Sequence, residues 1–231
     1  MKKLGELLQN QGTKLYIHTD YEHNSLEILI NNLLKDAIVK YKPTYKENYR
    51  LFILGGIKLS ELILVNPSKV LKEKILEYKE EYFDFEETNI NGSCGLARYN
   101  DFDEWLEIVL SIEKDKLYNN VHASTFFSVR KSDNRIIGTI QLRHFLSDEL
   151  EKHGGHIGYG IRPTERKKGY GKQQLLLVLE IAKDMKIPKV MIICDKDNIA
   201  SSRTAISSGG TLTGENFHEG KEQQIYWINL R

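Results

Sequence analysis

The pattern of apolar and polar positions divides the chain near residue 60. Asn24 can cap a helix with Glu27 three residues on, and Leu26, Leu29, Ile30, Leu33, Leu34, Ala37 and Ile38 share one stripe. Residues 24–40 therefore read as an amphipathic helix ended by Tyr41-Lys42-Pro43. The run Leu51–Leu54 before Gly55-Gly56 suits a strand or a helix segment equally. From Glu61 the elements shorten and alternate. Leu62–Val65 is a strand stopped by Asn66-Pro67, and Leu71, Ile75 and Tyr78 begin a helix. Asn91-Gly92 and Gly95 mark a loop, after which Asn100 or Asp101 caps a second helix through Trp105, Ile108, Val109 and Ile112. Thr125–Val129 and Ile136–Leu142 are β-rich segments turned by Ser132-Asp133-Asn134, and their imperfect alternation fits strands buried on both faces.

The last third reads as strand His156–Ile161, apolar helix Gly169–Lys186, strand Val190–Cys194, and helix Asn198–Ser208 stopped by Gly209-Gly210. Two further strands, Thr211–Gly214 and Gln223–Leu230, close the chain. The strand–helix–strand unit over 156–194 predicts a right-handed crossover with parallel pairing, and the hairpins predict antiparallel edges. The expected fold class is α/β (α+β) with a mixed central sheet. It would occupy residues 61–231, with 1–60 as a partly helical N-terminal extension. That extension could cap the substrate side, form a homodimer contact, or be a small appended domain.

Composition narrows the function classes. With 40% hydrophobic residues, 4 Pro and 17 Gly in 231 residues, the chain is globular and not of low complexity. Its 33 Lys+Arg against 32 Asp+Glu leave +1, unlike a protein that coats nucleic acid or an anionic membrane. The Met-Lys-Lys start is interrupted by Glu6, Gln9, Asn10 and Gln11 before any apolar stretch, so no secretory signal is expected. The longest apolar runs, Leu175–Leu179 and Val190–Cys194, fall far short of the roughly 20 residues a bilayer requires. Cys94 and Cys194 stand a hundred residues apart with no ligand spacing, and His153 and His156 have no third partner, so no metal site is expected. A cytoplasmic protein is the expectation.

One segment departs from this neutrality. Between Arg162 and Lys172 lie Arg162, Arg166, Lys167, Lys168 and Lys172 against the single carboxylate Glu165. A strand runs into this turn and a helix leaves it, so several backbone N–H groups and the positive end of a helix dipole converge on one spot. Gly169 and Gly171 let the backbone approach a ligand closely. Such a turn seats phosphate. Neither GxGxxG nor GxxxxGK[ST] is present.

The hexapeptide Arg166-Lys167-Lys168-Gly169-Tyr170-Gly171, directly after a strand and Pro163, resembles the pyrophosphate signature of the GNAT N-acetyltransferases. The element order from residue 61 resembles that fold throughout. Gly154-Gly155-His156-Ile157-Gly158-Tyr159 with Arg143-His144 and Arg162-Pro163 is similar to a bacterial subgroup of predicted acetyltransferases. The resemblance implies acetyl-CoA between splayed strands 156–161 and 190–194, its pantetheine arm along the main chain of Tyr159, Gly160 and Ile161. It places the pyrophosphate on Arg166, Lys167, Lys168, Gly169, Tyr170, Gly171 and Lys172, with Arg166 and Lys168 as charged supplements. Asn198 and Ser202 complete the cofactor site. The implied reaction is acetyl transfer to a primary amine of a small molecule by direct attack in a ternary complex.

His156 occupies the position where many relatives carry a glutamate base, and period-two geometry aligns it with Gly158 and Gly160 beside an open groove. The alternative is a packing or hydrogen-bonding role at the strand start. Many relatives place a tyrosine acid seven residues after the Asn, where this chain has Ala205, leaving Ser201, Ser202 or solvent as the proton source, with a cap or a cofactor hydrogen bond as the other role of these serines. Arg143 and His144 are the candidate substrate-binding residues, although Arg143 could instead pair with Glu149 or Glu151. Two other classes stand beside the enzyme: a CoA-binding sensor without turnover, which the absent Tyr and Glu would fit, and nucleic-acid binding through the basic turn, disfavoured by the compactness of that patch.

Overall fold

The computed structural model describes residues 60–114 and 120–230, and of residues 1–59 only the backbone of the two-residue strands Leu15–Tyr16, Val39–Lys40, Tyr49–Arg50 and Phe52–Ile53. The helix expected over 24–40 lies outside the described residues, except that Val39–Lys40 at its end is strand. The described elements are β1 (Leu62–Val65), α1 (Lys72–Asp84), α2 (Phe102–Lys114), β2 (Ala123–Arg130), β3 (Ile136–Arg143), α3 (Asp148–His153) and β4 (Ile157–Ile161). They continue with α4 (Tyr170–Asp184), β5 (Lys189–Asp195), α5 (Ile199–Ser207), β6 (Thr211–His218) and β7 (Lys221–Asn229). The short helix α3, capped by the Ser147 side chain on Leu150 N–H, was not visible in the hydrophobic pattern.

Two antiparallel sheets meet at the centre. Strands β1, β2, β3 and β4 pair in sequence order, with Tyr49–Arg50 added outside β1 through Tyr49↔Val65. The second sheet has the order β6-β7-β5. The expected parallel ladder across the crossover is not made. Among the described residues, β4 and β5 join at a bridge between Gly155 and Ile192, and His156 N–H donates to the Met191 carbonyl at 2.8 Å. Gly155 permits that approach, because its φ is +66° and a Cβ there would lie 2.8 Å from the Met191 oxygen. Beyond this point no strand hydrogen bond among the described residues links the two, and the strands part.

The strands of the first sheet are buried on both faces, as their imperfect alternation predicted. Phe126, Ile140, Leu142 and Ile157 face α4, where Leu175, Val178, Leu179 and Ala182 continue into Val190, Ile192, Tyr226 and Ile228 of the second sheet. Phe127, Val65 and Val129 face α1 and α2, meeting Tyr78, Tyr82, Trp105 and Val109. Each of these large side chains contributes about 1.5–3 kcal/mol on burial. Polar pins set the orientation: Trp105 Nε1 donates to the Ser93 carbonyl at 3.0 Å, and the buried Gln174 amide donates to the Gly160 carbonyl while accepting from Ser128 Oγ.

Candidate active site

The basic turn has the geometry its sequence suggested, and its main asset is backbone. Lys167 and Gly169 take left-handed conformations, φ +64° and +83°, so the chain curls back before Tyr170 opens α4. Among the described residues, none of the N–H groups from Lys167 to Lys172 meets an acceptor, and Gln173 is the first to do so, donating to the Gly169 carbonyl at 3.3 Å. Six donors at the positive end of a fifteen-residue helix fit an anion.

The cations of the turn divide. Arg162 is buried and pairs with Glu77 and Glu81 of α1 at 3.2 Å, its guanidinium over the Tyr78 ring. Arg166 makes a two-pronged pair with Glu87, at 2.5 and 2.7 Å, and its Nε donates to the Ile161 carbonyl. Lys168 is held by Glu165 at 2.9 Å, a carboxylate that also receives Arg130 and Arg135. Lys167 and Lys172 are exposed and carry no ion pair among the described residues. Arg166 and Lys168, the expected charged supplements, thus each already hold a carboxylate, while Lys167 and Lys172 hold none among the described residues. The sequence count missed this because neutralising Glu87 comes from a loop about eighty residues away.

Across the gap, the start of α5 is tied to β4. Asn198 is the N-cap, its Oδ1 accepting from Ser201 N–H at 3.1 Å. Ser201 Oγ shares a 2.9 Å hydrogen bond with the Tyr159 hydroxyl, which reaches over from β4. Burial pushes the Tyr159 phenol up to about 12, with only partial relief from Ser201. Ser202 turns inward to the Tyr226 hydroxyl at 2.7 Å, away from Ser201. Ala205 is fully buried in the core against Gly210, whose Cβ position lies 2.7 Å from the Ala205 carbonyl. A tyrosine at 205 has no room in that packing; a tyrosine beside Ser201 comes from the strand instead.

The other face of β4 carries the remaining candidates. The groove expected beside Gly158 and Gly160 is occupied by the chain itself: a Cβ on Gly160 would lie 2.9 Å from the Asn91 carbonyl and 3.0 Å from the Tyr82 hydroxyl. Asn91-Gly92 crosses here, Gly92 at φ +77° with its Cβ position 2.5 Å from the Gly158 carbonyl. Thr139 Oγ1 fastens the loop by donating to the Asn91 carbonyl at 2.9 Å. Two glycines on one strand face signal such a close approach.

Arg143 spends Nη1 on the carbonyls of Gly154 and Gly155, at 3.0 and 2.9 Å, fixing the turn into β4. His144 lies elsewhere, with Nε2 2.9 Å from Ser124 Oγ, which donates to Glu113. His153 stacks on His218 at 3.9 Å, so the His153/His156 pair separates. His156 is buried, its Nδ1 accepting from Met191 N–H at 3.0 Å. Burial, aided by the charges of Arg143 and Lys189, holds its imidazole down at about 4, so it stays neutral. Cys94, at φ +54° in the crossing loop, lies near Gln141 and Arg143, and burial pushes its thiol up.

The acetyltransferase (GNAT) domain family matches residues 101–211. A comparison with curated proteins by sequence finds no match. Among solved structures, the ribosomal-protein-S5-alanine acetyltransferase of Vibrio fischeri is similar over 75% of this chain and 95% of its own, at 15% identity and TM-score 0.58. The microcin C7 self-immunity acetyltransferase MccE, solved with acetyl-CoA and AMP, covers 73% and 92% at 20% identity and TM-score 0.54. A spermidine N-acetyltransferase chimera from Vibrio cholerae and a second enzyme covers 74% and 96% at 16% identity and TM-score 0.52. The acetyltransferase (GNAT) match over residues 101–211 and the fold shared with these solved acetyltransferases both take in the place where the strands part beside a helix start with open N–H groups.

Proposed function

We propose that the protein transfers the acetyl group of acetyl-CoA to a primary amine of a small-molecule acceptor, by direct attack with both reactants bound together. The observation that carries this reading is the row of six unpartnered N–H groups from Lys167 to Lys172, placed where β4 and β5 part. Those amides, with Lys167 and Lys172, hold the pyrophosphate; Arg166 and Lys168 shape the turn through Glu87 and Glu165. The pantetheine arm lies along Tyr159, Gly160 and Ile161. Asn198 and Ser202 act on this site through the start of α5, by capping and by the bond to Tyr226.

In this reading Ser201 hands a proton to the leaving thiolate, and its hydrogen bond with the Tyr159 hydroxyl supports that role. Arg143 sets the turn before His156, and Cys94, Gln141 and Arg143 form the acceptor side. Direct attack requires no enzyme nucleophile; the sequestered Cys194 and the raised Cys94 thiol are consistent with that. The test is purified full-length protein with acetyl-CoA and an amine panel that includes spermidine and short peptides with free N-termini, read as free thiol released. Turnover of at least one amine is expected, with Ser201→Ala lowering kcat roughly tenfold or more while acetyl-CoA affinity is kept. Tight acetyl-CoA binding with no amine consumed would instead establish a cofactor-sensing module.

A further inference from the structure

We propose that His156 serves acetyl transfer as a neutral hydrogen-bond donor, through Nε2–H to an oxygen of the bound reactants, and not as the base that removes the amine's proton. The proposal rests on the acetyl-transferring reading above. Its geometry comes from one backbone contact. A peptide N–H can only donate, so the 3.0 Å contact from Met191 N makes Nδ1 of His156 the acceptor. A neutral imidazole has one nitrogen of each kind, and its proton is then on Nε2.

The contact is part of a paired arrangement. His156 N–H donates to the Met191 carbonyl at 2.8 Å, and Met191 N–H donates back to the imidazole. The ring thus takes the place that a strand carbonyl would hold in an antiparallel pair, at the one point where β4 and β5 meet. Exchanging tautomers would strand a buried peptide N–H in the seam, so the pairing opposes it. Arg143 adds rigidity by binding the carbonyls of Gly154 and Gly155, the two residues before His156. On the sides of the ring stand Trp227, with centroids 6.0 Å apart, and the cations Arg143 and Lys189, which together with burial keep the imidazole uncharged.

Nε2 is left over. It has no hydrogen-bond partner among the described residues, and it is not among the buried polar atoms sealed from solvent. A neutral N–H held rigidly in a low-dielectric wall supports an oxygen that gains negative charge without itself losing a proton. No bond to His156 forms or breaks: its proton stays on Nε2, and the proton released by the attacking amine passes to water.

The test is nitrogen-15 NMR of histidine-labelled full-length protein. In the free protein His156 should show a protonated Nε2 and a bare Nδ1 at neutral pH; a proton on Nδ1 overturns the proposal. Addition of acetyl-CoA alone should move the Nε2–H resonance if the thioester oxygen is its partner. Movement only when CoA is joined by a peptide with an N-terminal alanine assigns the acceptor's carbonyl oxygen, and no movement in either arm overturns the role. In turnover assays His156→Gln, which keeps a donor, should stay within roughly tenfold of the parent and His156→Glu should lose roughly a hundredfold. The reverse order restores the base. If calorimetry finds no acetyl-CoA binding, the acetyl-transfer reading falls, while the tautomer is still decided on the free protein.

Discussion

The basic turn before α4 and the His156 face of β4 are built from opposite materials. In the turn, three of the five cations are paired, Arg162 with α1, Arg166 with the loop after it and Lys168 with Glu165, while among the described residues the main-chain donors remain open. On the His156 face, the backbone is closed by the 91–92 loop and by Arg143, and one imidazole nitrogen remains without a partner among the described residues. A phosphate seat made of peptide groups tolerates change in most of its side chains. A site resting on one ring and its tautomer does not. On the proposed function, keeping the turn's shape preserves cofactor binding, whereas small changes around His156 alter what the chemistry can use.

The largest effect expected from breaking the first region is at Glu81, which faces the buried Arg162 and also accepts from Thr164 N–H and Oγ1. Glu77, 62% exposed, is a weak substitute. Glu81→Ala leaves a guanidinium with no exposure to water short of its partner, and denaturant unfolding should show a loss of about 3–5 kcal/mol. Glu81→Gln, which keeps the hydrogen bonds to Thr164, should lose less. A cost below about 1 kcal/mol for the alanine variant would mean that α1 does not underpin the turn.

Acid should break the second region. His156 titrates in the unfolded chain near its ordinary 6.5 and in the folded protein at about 4, so the unfolded state binds the extra proton first. This group leaves stability untouched above pH about 6.5 and lowers it progressively as pH falls toward 4, by up to about 3 kcal/mol. His156→Gln should flatten that limb of a pH–stability profile. An unchanged slope would show that the imidazole is not sequestered at the seam.

The smaller effects distinguish backbone from side chain within the turn. Gly169→Asp puts a capping carboxylate among the open N–H groups, and acetyl-CoA affinity by calorimetry should fall roughly tenfold or more, about 1.4 kcal/mol. Lys172→Ala should cost roughly two- to fivefold and Lys168→Ala less, because Lys168 already belongs to Glu165. If Lys168→Ala weakened binding more than Gly169→Asp, the seat would be one of cations after all.

The two regions were unequally legible. Arg166 to Gly171 announced the turn because local chain direction, glycine placement and a helix start are sequence-near properties. Double burial of Phe126 and Phe127 was readable from the failed alternation. Glu87 beside Arg166, Tyr159 beside Ser201 and Asn91 against Gly160 were not, since each joins residues forty or more positions apart. The expected parallel ladder between β4 and β5 failed for a related reason: a crossover helix sets strand order, but the left-handed Gly155 and the His156–Met191 pair set how far the strands zip.

The amino-acid sequence alone determined the order of elements, the apolar faces and a basic, glycine-containing turn at a helix start, because these follow from periodicity and from neighbours in the chain. The tertiary structure decided which cations are spent, which glycines are covered, and which nitrogen of His156 is left without a partner among the described residues. Those depend on partners brought together only by folding, and a side chain's chemistry is set by what its other atoms already hold.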